Sequence, residues 1–187
     1  MARARLDEQV ALVVEAVRAR VREGTRLVTV DGFSGSGKSR IADAVGLELV
    51  APVLSLEELY PGWDGLAAAV PLAVDWMARP LAEGRPARWW PWDWTRGARA
   101  GARELAPVPV VLLEGCGAGA AALRPFTDVA VWVECDAATR ERRLRARPDW
   151  PGYAPFRERW AAQETAWHAR ERTADHADLV IVNDRPS

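Results

Sequence analysis

DGFSGSGKSR, residues 31–40, contains the only lysine of the chain: of 25 Lys plus Arg, 24 are Arg. A sequence that writes arginine for every other positive charge places one ammonium, at Lys38, in a segment that also holds Gly32, Gly35 and Gly37. Glycine reaches backbone conformations closed to other residues, so three in six positions mark a chain path that side chains would block. The flanks are equally informative. RLVTV (26–30) is β-rich and predicts a short strand, and SRIADAVGLEL (39–49) predicts a helix.

The spacing Gly32-x-x-x-x-Gly37-Lys38-Ser39, between a strand and a helix, matches the phosphate-binding loop in full. In such a loop successive N–H groups face a polyphosphate, and the following helix adds the positive end of its dipole. Lys38 is predicted to lie along the loop and reach the β- and γ-phosphates, which a flexible, compact ammonium does and a planar guanidinium does not. Ser39 supplies a hydroxyl oxygen to Mg²⁺. Gly32, Ser34, Gly35, Ser36, Gly37, Lys38, Ser39 and Arg40 are the predicted contacts to a nucleoside triphosphate, taken as ATP.

The rest of the composition narrows the setting. At 187 residues, 49% hydrophobic and 27% charged, the chain suits one globular domain, residues 1–187. A net charge of −1 and a pI near 6.2 argue against a general nucleic-acid binder. Cys116 and Cys135, both in apolar surroundings, predict buried free thiols, with neither a disulfide framework nor a metal-ligand cluster. No run approaches a membrane span. The start places Leu6, Val10, Val14, Val17 and Val21 on one face, predicting an amphipathic helix over 5–22. Asp7, Glu8 and Glu15 interrupt it and no small-residue cleavage site follows, so the expected location is cytoplasmic.

Further strands are predicted at Val50–Leu54, in VPVVLLEG (108–115), at Asp128–Cys135 and in DLVIVN (178–183). Helices are predicted at Pro71–Glu83, Ala137–Arg147 and Pro155–Thr173. GRPARWWPWDWTRG (84–97) fits no regular period. Buried strands alternating with helices predict a parallel sheet covered on both sides, an α/β fold.

Three classes use such a loop: small-molecule kinases, GTPase switches, and motor ATPases or helicases. A GTPase needs Asn-Lys-x-Asp, and no lysine follows Lys38. Motor ATPases carry a strand ending in Asp or Asp-Glu and belong to larger domains, whereas Leu112-Leu113-Glu114-Gly115 ends in one carboxylate and a glycine. Size, Glu114 and the arginine-rich helix favour the kinase.

From Val28 to Asn183 the chain resembles the uridine kinase-like group of P-loop kinases, which includes phosphoribulokinase and pantothenate kinase relatives. The resemblance is carried by the phosphate loop; by Glu57-Glu58-Leu59-Tyr60 with Trp63 and Asp64 after it; by Trp92-Asp93-Trp94 followed by Arg99; by Glu114-Gly115; and by Arg140, Arg143 and Arg147. It implies the three-layer P-loop NTPase fold, with a five-stranded parallel sheet in order 2-3-1-4-5 and a lid at about 140–155. It also implies that Glu57 acts on the acceptor hydroxyl, that Tyr60, Trp63, Asp64, Trp92, Asp93, Trp94, Arg99 and Glu114 surround the acceptor, and that Ser39 and Glu114 serve the metal.

These residues carry their own physics. Spacing i, i+3, i+7 puts the three lid arginines on one helix face, where Arg143 and Arg147 can hold a transferring phosphoryl group and Arg140 the donor. The alternative is a solvated basic face. Glu57 is placed to take a proton or to cap a short helix, and Glu58 competes for the same role. Of Trp89, Trp90, Trp92 and Trp94, some are expected to pack a hairpin and one or two to line the pocket. His168 and His176 are assigned surface or capping roles.

The expected activity is Mg²⁺-dependent transfer of the ATP γ-phosphoryl to a hydroxyl of a small, nucleoside-like acceptor, by a monomer or homodimer, with 149–153 (DWPGY) closing over the site. A kinase for another alcohol (a sugar, vitamin precursor or antibiotic) and an ATP-binding regulator with little turnover are the alternatives. Strict uridine specificity is not expected. Gly97 occupies the position of the family's base-reading histidine and Ala69 that of its ribose-binding aspartate, so a flatter, more apolar acceptor is.

Overall fold

Val111 and Leu113 face one side of their strand and Leu112 the other, and Leu27 stands opposite Val28 and Val30, so these central strands need cover on both sides. The computed structural model, which describes residues 2–184, provides it with three layers. The first half of the chain forms α1 (Ala2–Ala19), β1 (Arg26–Asp31), α2 (Lys38–Leu49), β2 (Val53–Ser55), α3 (Leu66–Ala73) and α4 (Arg79–Ala82). The short strands β3 (Ala87–Trp89), β4 (Trp92–Asp93), β5 (Ala98–Arg99) and β6 (Arg103–Leu105) follow. The second half forms β7 (Val110–Glu114), β8 (Thr127–Glu134), α5 (Ala137–Arg145), α6 (Trp150–Tyr153), α7 (Arg157–Glu171) and β9 (Leu179–Val182).

The main sheet is parallel and runs β2-β7-β1-β8-β9, which is 2-3-1-4-5 when only its own strands are counted. Val13, Val14 and Val17 of α1, with Ile41 and Val45 of α2, cover one face. Leu66, Val70, Ala73, Met77, Trp160 and Trp167 cover the other. In this order β1 lies between β7 and β8, so the loop after Asp31 opens at the carboxyl ends of the central strands. That is where open α/β sheets bind ligands. No helix among the described residues is long and apolar enough to cross a membrane.

Several boundaries differ from the sequence expectation. α1 begins at Ala2 and ends at Ala19, leaving Val21 outside the helix and 94% exposed. Val50 is not in a strand: it caps α2 in the left-handed region (φ 52°), and β2 starts three residues later. The helix predicted from Pro71 starts at Leu66, so Pro71 lies inside α3, and a π-helical turn at Val74–Ala78 joins α3 to α4. Two prolines nine residues apart each remove an N–H from the ladder, which gives the irregular turn a physical cause. The 84–97 stretch contains β3 and β4, paired antiparallel with β6 and β5 in two small ribbons. α5 stops at Arg145 and α7 covers 157–171.

Both cysteines are buried and free. Cys135 comes to lie beside Asp136 and Asp184, but Asp136 caps Thr139 N–H and Asp184 accepts from Asp136 N–H. His176 is exposed as expected; His168 is instead half-buried against Phe33 and Trp132, its Nδ1 2.8 Å from Thr173 Oγ1.

Candidate active site

Residues 32–37 connect β1 to α2 in a path that needs its glycines. Gly35 has φ 80°, and a Cβ there would sit 2.7 Å from the carbonyl oxygen of Arg140. Gly37, φ 92°, is the N-cap of α2. Among the described residues, the amides of Gly35, Gly37, Lys38 and Ser39 have no protein acceptor, so four donors and the start of a twelve-residue helix converge on one concavity.

The loop is gripped from outside. Arg143 Nη1 donates to Gly35 O (3.3 Å) and Ser36 O (2.9 Å), and Asn183 Nδ2 donates to Ser36 O (2.7 Å). The Arg140 guanidinium lies over the Phe33 ring, 4.6 Å from its centroid. Beneath the loop, Asp31 is buried and accepts from Gly32, Gly117 and Gly119 N–H, stitching β1 to the segment after β7. Burial raises its carboxyl above the ordinary range, against the pull of His168 and of those three amides.

Lys38 is 9% exposed. Burial alone would lower its pKa; Cys116, Glu114, Glu164 and Glu57 around it outweigh that and hold it above the ordinary lysine value. The ammonium stays charged throughout the neutral range. Glu114, at the end of β7, accepts from Ser39 Oγ (2.9 Å) on one oxygen and from Ser55 Oγ (2.7 Å) on the other. A serine hydroxyl and a carboxylate held together at the mouth of the loop are the hard oxygen donors that Mg²⁺ takes, so the residues fit that ion.

Beyond the loop lies a cavity of about 950 Å³, within the range of small-molecule sites. Ser34, Gly35, Gly37, Lys38, Ser39 and Glu114 line its donor end, with Arg143 and Arg147 at the side. Glu57, Tyr60, Trp63 and Trp94 line the other end, joined by Thr95, Tyr153, Phe156 and Trp160. Trp63 anchors this aromatic wall, stacked on Phe156 (centroids 4.6 Å, 9° between planes) and tilted against Trp94 (4.7 Å). Tyr60 is fully buried and its hydroxyl donates to Cys116 O (2.9 Å), so it shapes the wall rather than offering a donor. Burial pushes the Tyr153 hydroxyl up to about 12.

The two acidic candidates part company here. Glu58 accepts from Trp89 Nε1 (2.6 Å) and from Arg103, which turns it into the β3–β6 ribbon. Glu57 is exposed and lines the cavity; only its backbone N–H is engaged, by Ser55 Oγ.

Other predicted residues fall outside the cavity. Asp64 is ion-paired with Arg159 on the surface. Asp93 accepts from Thr95 and Arg96 N–H and so closes a turn. Arg99 donates to the carbonyls of Glu58, Leu59 and Trp90, and its guanidinium packs between the Trp76 and Trp92 rings, pinning the hairpin to the Glu57 turn. Trp92 thus serves that clamp. Arg40 is exposed on α2, and Arg140, Gly32 and Ser36 shape the loop from behind. Arg147 is bridged to Asp149 by two hydrogen bonds, which raise its pKa. Ala69 is buried in α3 and Gly97 sits at a hairpin tip with φ 61°; neither lines the cavity.

Sequence reasoning missed Asp31, Phe156, Trp160, Glu164 and Asn183. Phe156, Trp160, Glu164 and Trp167 recur at i, i+4, i+8, i+11, a stripe that marks the inner face of α7.

No known protein family model matches the chain, and no curated protein sequence does. Solved structures do. A possible uridine kinase from Bacillus stearothermophilus superposes with a TM-score of 0.70 over 94% of this chain and 98% of its own, at 17% identity. A provisionally assigned fructose transport system kinase from Silicibacter sp. gives 0.57 over 91% and 98%, at 21% identity. A shikimate kinase from Bacteroides thetaiotaomicron gives 0.50 over 84% and 86%, at 17% identity. At these identities the likeness establishes a shared fold, that of the P-loop kinases.

Proposed function

We propose that the protein is a small-molecule kinase that transfers the γ-phosphoryl group of ATP to the hydroxyl of a nucleoside-sized acceptor with a flat, largely apolar body. One observation carries this reading: a single cavity joins an uncommitted phosphate cradle to an acidic side chain and an aromatic wall. A switch or motor has no use for the second half. The structural neighbours described as a possible uridine kinase and a shikimate kinase support an alcohol as acceptor.

In this reading the free amides, Lys38 and the helix dipole hold the β- and γ-phosphates, and Arg147 reaches the charge that develops during transfer. Ser39 and Glu114 would hold Mg²⁺, which neutralises charge on the phosphate oxygens when bound. Glu57 takes the acceptor's proton as its oxygen bonds to the γ-phosphorus; the bond to the bridging β–γ oxygen breaks and ADP leaves. Residues 140–155 close over the site as a lid and keep out water.

The wall of Trp63, Trp94, Phe156 and Trp160 accommodates a ring better than a chain of hydroxyls. Among the described residues that line the cavity, Arg143 is committed to loop carbonyls and Arg147, paired with Asp149, is assigned to the transferring phosphoryl, so an acceptor carboxylate or phosphate finds no further cation. The test is kcat/KM for uridine, cytidine, other nucleosides, sugars, shikimate-type acids and aromatic alcohols, each with ATP and Mg²⁺. Uncharged ring alcohols should lead. Uridine and cytidine as clear best substrates, at about 10⁴ M⁻¹s⁻¹ or above, or a preference for acids, would refute the acceptor assignment.

A further inference from the structure

Glu164 has no part in the chemistry above, yet it is 2% exposed and lies against the phosphate loop. A carboxylate taken out of water is costly unless donors meet it. Here one oxygen, Oε1, accepts from the backbone N–H of Ser34 (2.7 Å) and from the thiol of Cys116 (2.7 Å). One turn earlier on α7, Trp160 Nε1 donates to Ser34 Oγ (3.1 Å). The N–H and the hydroxyl of Ser34 are therefore held by the same helix.

Ser34 directly precedes Gly35, the first of the uncommitted amides. Its own N–H is turned away from the cavity into Glu164, and that fixes the orientation of the next peptide. The same two turns of α7 also hold the opposite loop: Gln163 Nε2 donates to Trp63 O (2.6 Å), and Arg159 pairs with Asp64.

We infer that Glu164 is a positioning residue for the donor phosphates: by accepting from Ser34 N–H, with Trp160 on the Ser34 hydroxyl, it sets the phosphate loop in the conformation whose amides face the ligand. The inference rests on the reading of this loop as the ATP site. It assigns the role to the accepting oxygen, and Lys38 and the four amides remain the groups that touch phosphate.

The test is calorimetric binding of ATP, and separately of inorganic tripolyphosphate, to the intact chain and to Glu164→Ala, Glu164→Gln and Trp160→Phe, with thermal unfolding of each ligand-free protein. Glu164→Ala should weaken both ligands about tenfold or more, and Trp160→Phe about three- to tenfold, the worth of the hydrogen bonds lost. Glu164→Gln keeps an accepting oxygen in place and should stay within about threefold of the parent. A merely structural role would lower the unfolding temperature and leave both affinities alone, and that result overturns the inference. A Glu164→Gln variant as weak as Glu164→Ala overturns it too, because charge would then be the cause. If Glu164→Ala does not fold, unchanged affinity in Trp160→Phe is decisive. A parent protein that binds neither ligand would bring down the proposed function itself; a parent that binds both, with variants that bind equally well, removes only this inference.

Discussion

Replacing Lys38 by alanine deletes the one ammonium of the chain from a slot that is 9% exposed and faced by Glu114, Glu164 and Glu57. A unit charge about 4 Å from a phosphate oxygen is worth roughly 4 kcal/mol at an effective dielectric near 20. Removal of one preorganised electrostatic contact in characterised enzymes costs about 3–4 kcal/mol, or 10²–10³ in rate. The carboxylates left behind face the incoming phosphates unscreened, so the loss should lie at the upper end. Lys38→Arg should fail nearly as badly: the guanidinium is longer, planar and differently directed from the compact ammonium it replaces. Product formation at saturating ATP and acceptor measures kcat, and circular dichroism confirms the fold. Because its folded pKa stands above the reference 10.5, Lys38 stays charged, and contributes fully to stability, at all lower pH; its contribution is lost only on rising through the folded value. Turnover of either variant within a few-fold of the parent would refute the argument from this lysine.

Glu57→Gln should lower kcat far more than it raises the KM for ATP; a loss confined to ATP affinity would move Glu57 to the metal, and no loss at all would remove it from the chemistry. Glu114→Gln leaves Ser39 and Ser55 without their shared carboxylate, so its turnover should fall and partly recover as Mg²⁺ is raised; failure to recover argues against a metal role. Burial depresses the pKa of His168 against the charges of Asp31 and Glu164, with Lys38 and Arg140 adding to the depression. The unfolded chain therefore takes up this proton first, and the folded state loses stability as pH falls through the ordinary histidine value. Unfolding temperatures measured from about pH 7.5 to 5 should drop more steeply for the parent than for His168→Phe, and parallel curves would contradict this.

The parts of the fold written in local signals were legible. The glycine spacing, the lone lysine and the continuous apolar runs of β1, β7 and β8 specify a parallel sheet with a phosphate loop, and the strand order implied by the family resemblance is the one found. Ser39, Glu114, Glu57, Trp63 and Trp94 line one cavity. What stayed hidden was relational. Asp64 and Asp93 read as hydroxyl acceptors, but an arginine on α7 and two turn amides claim them. Arg99 reads as an acceptor contact and is spent on three carbonyls. The pairing of Glu164 with Ser34 spans 130 positions of sequence, which no local pattern encodes. Pro71 resembled a helix start because proline favours a first turn, yet apolar packing of Leu66, Ala69 and Val70 extended the helix ahead of it.

In the proposed reaction the γ-phosphoryl of ATP goes to an alcohol. The direct measurement uses ATP labelled at its γ-phosphorus, incubated with Mg²⁺, the protein and a panel of uncharged ring alcohols, followed by separation of the phosphorylated products. The proposed transfer puts label in an organic phosphate monoester, formed by the parent protein and lost with Lys38→Ala, with only slow release to water when no alcohol is present. Label appearing solely as inorganic phosphate, at a rate indifferent to every alcohol, would contradict it.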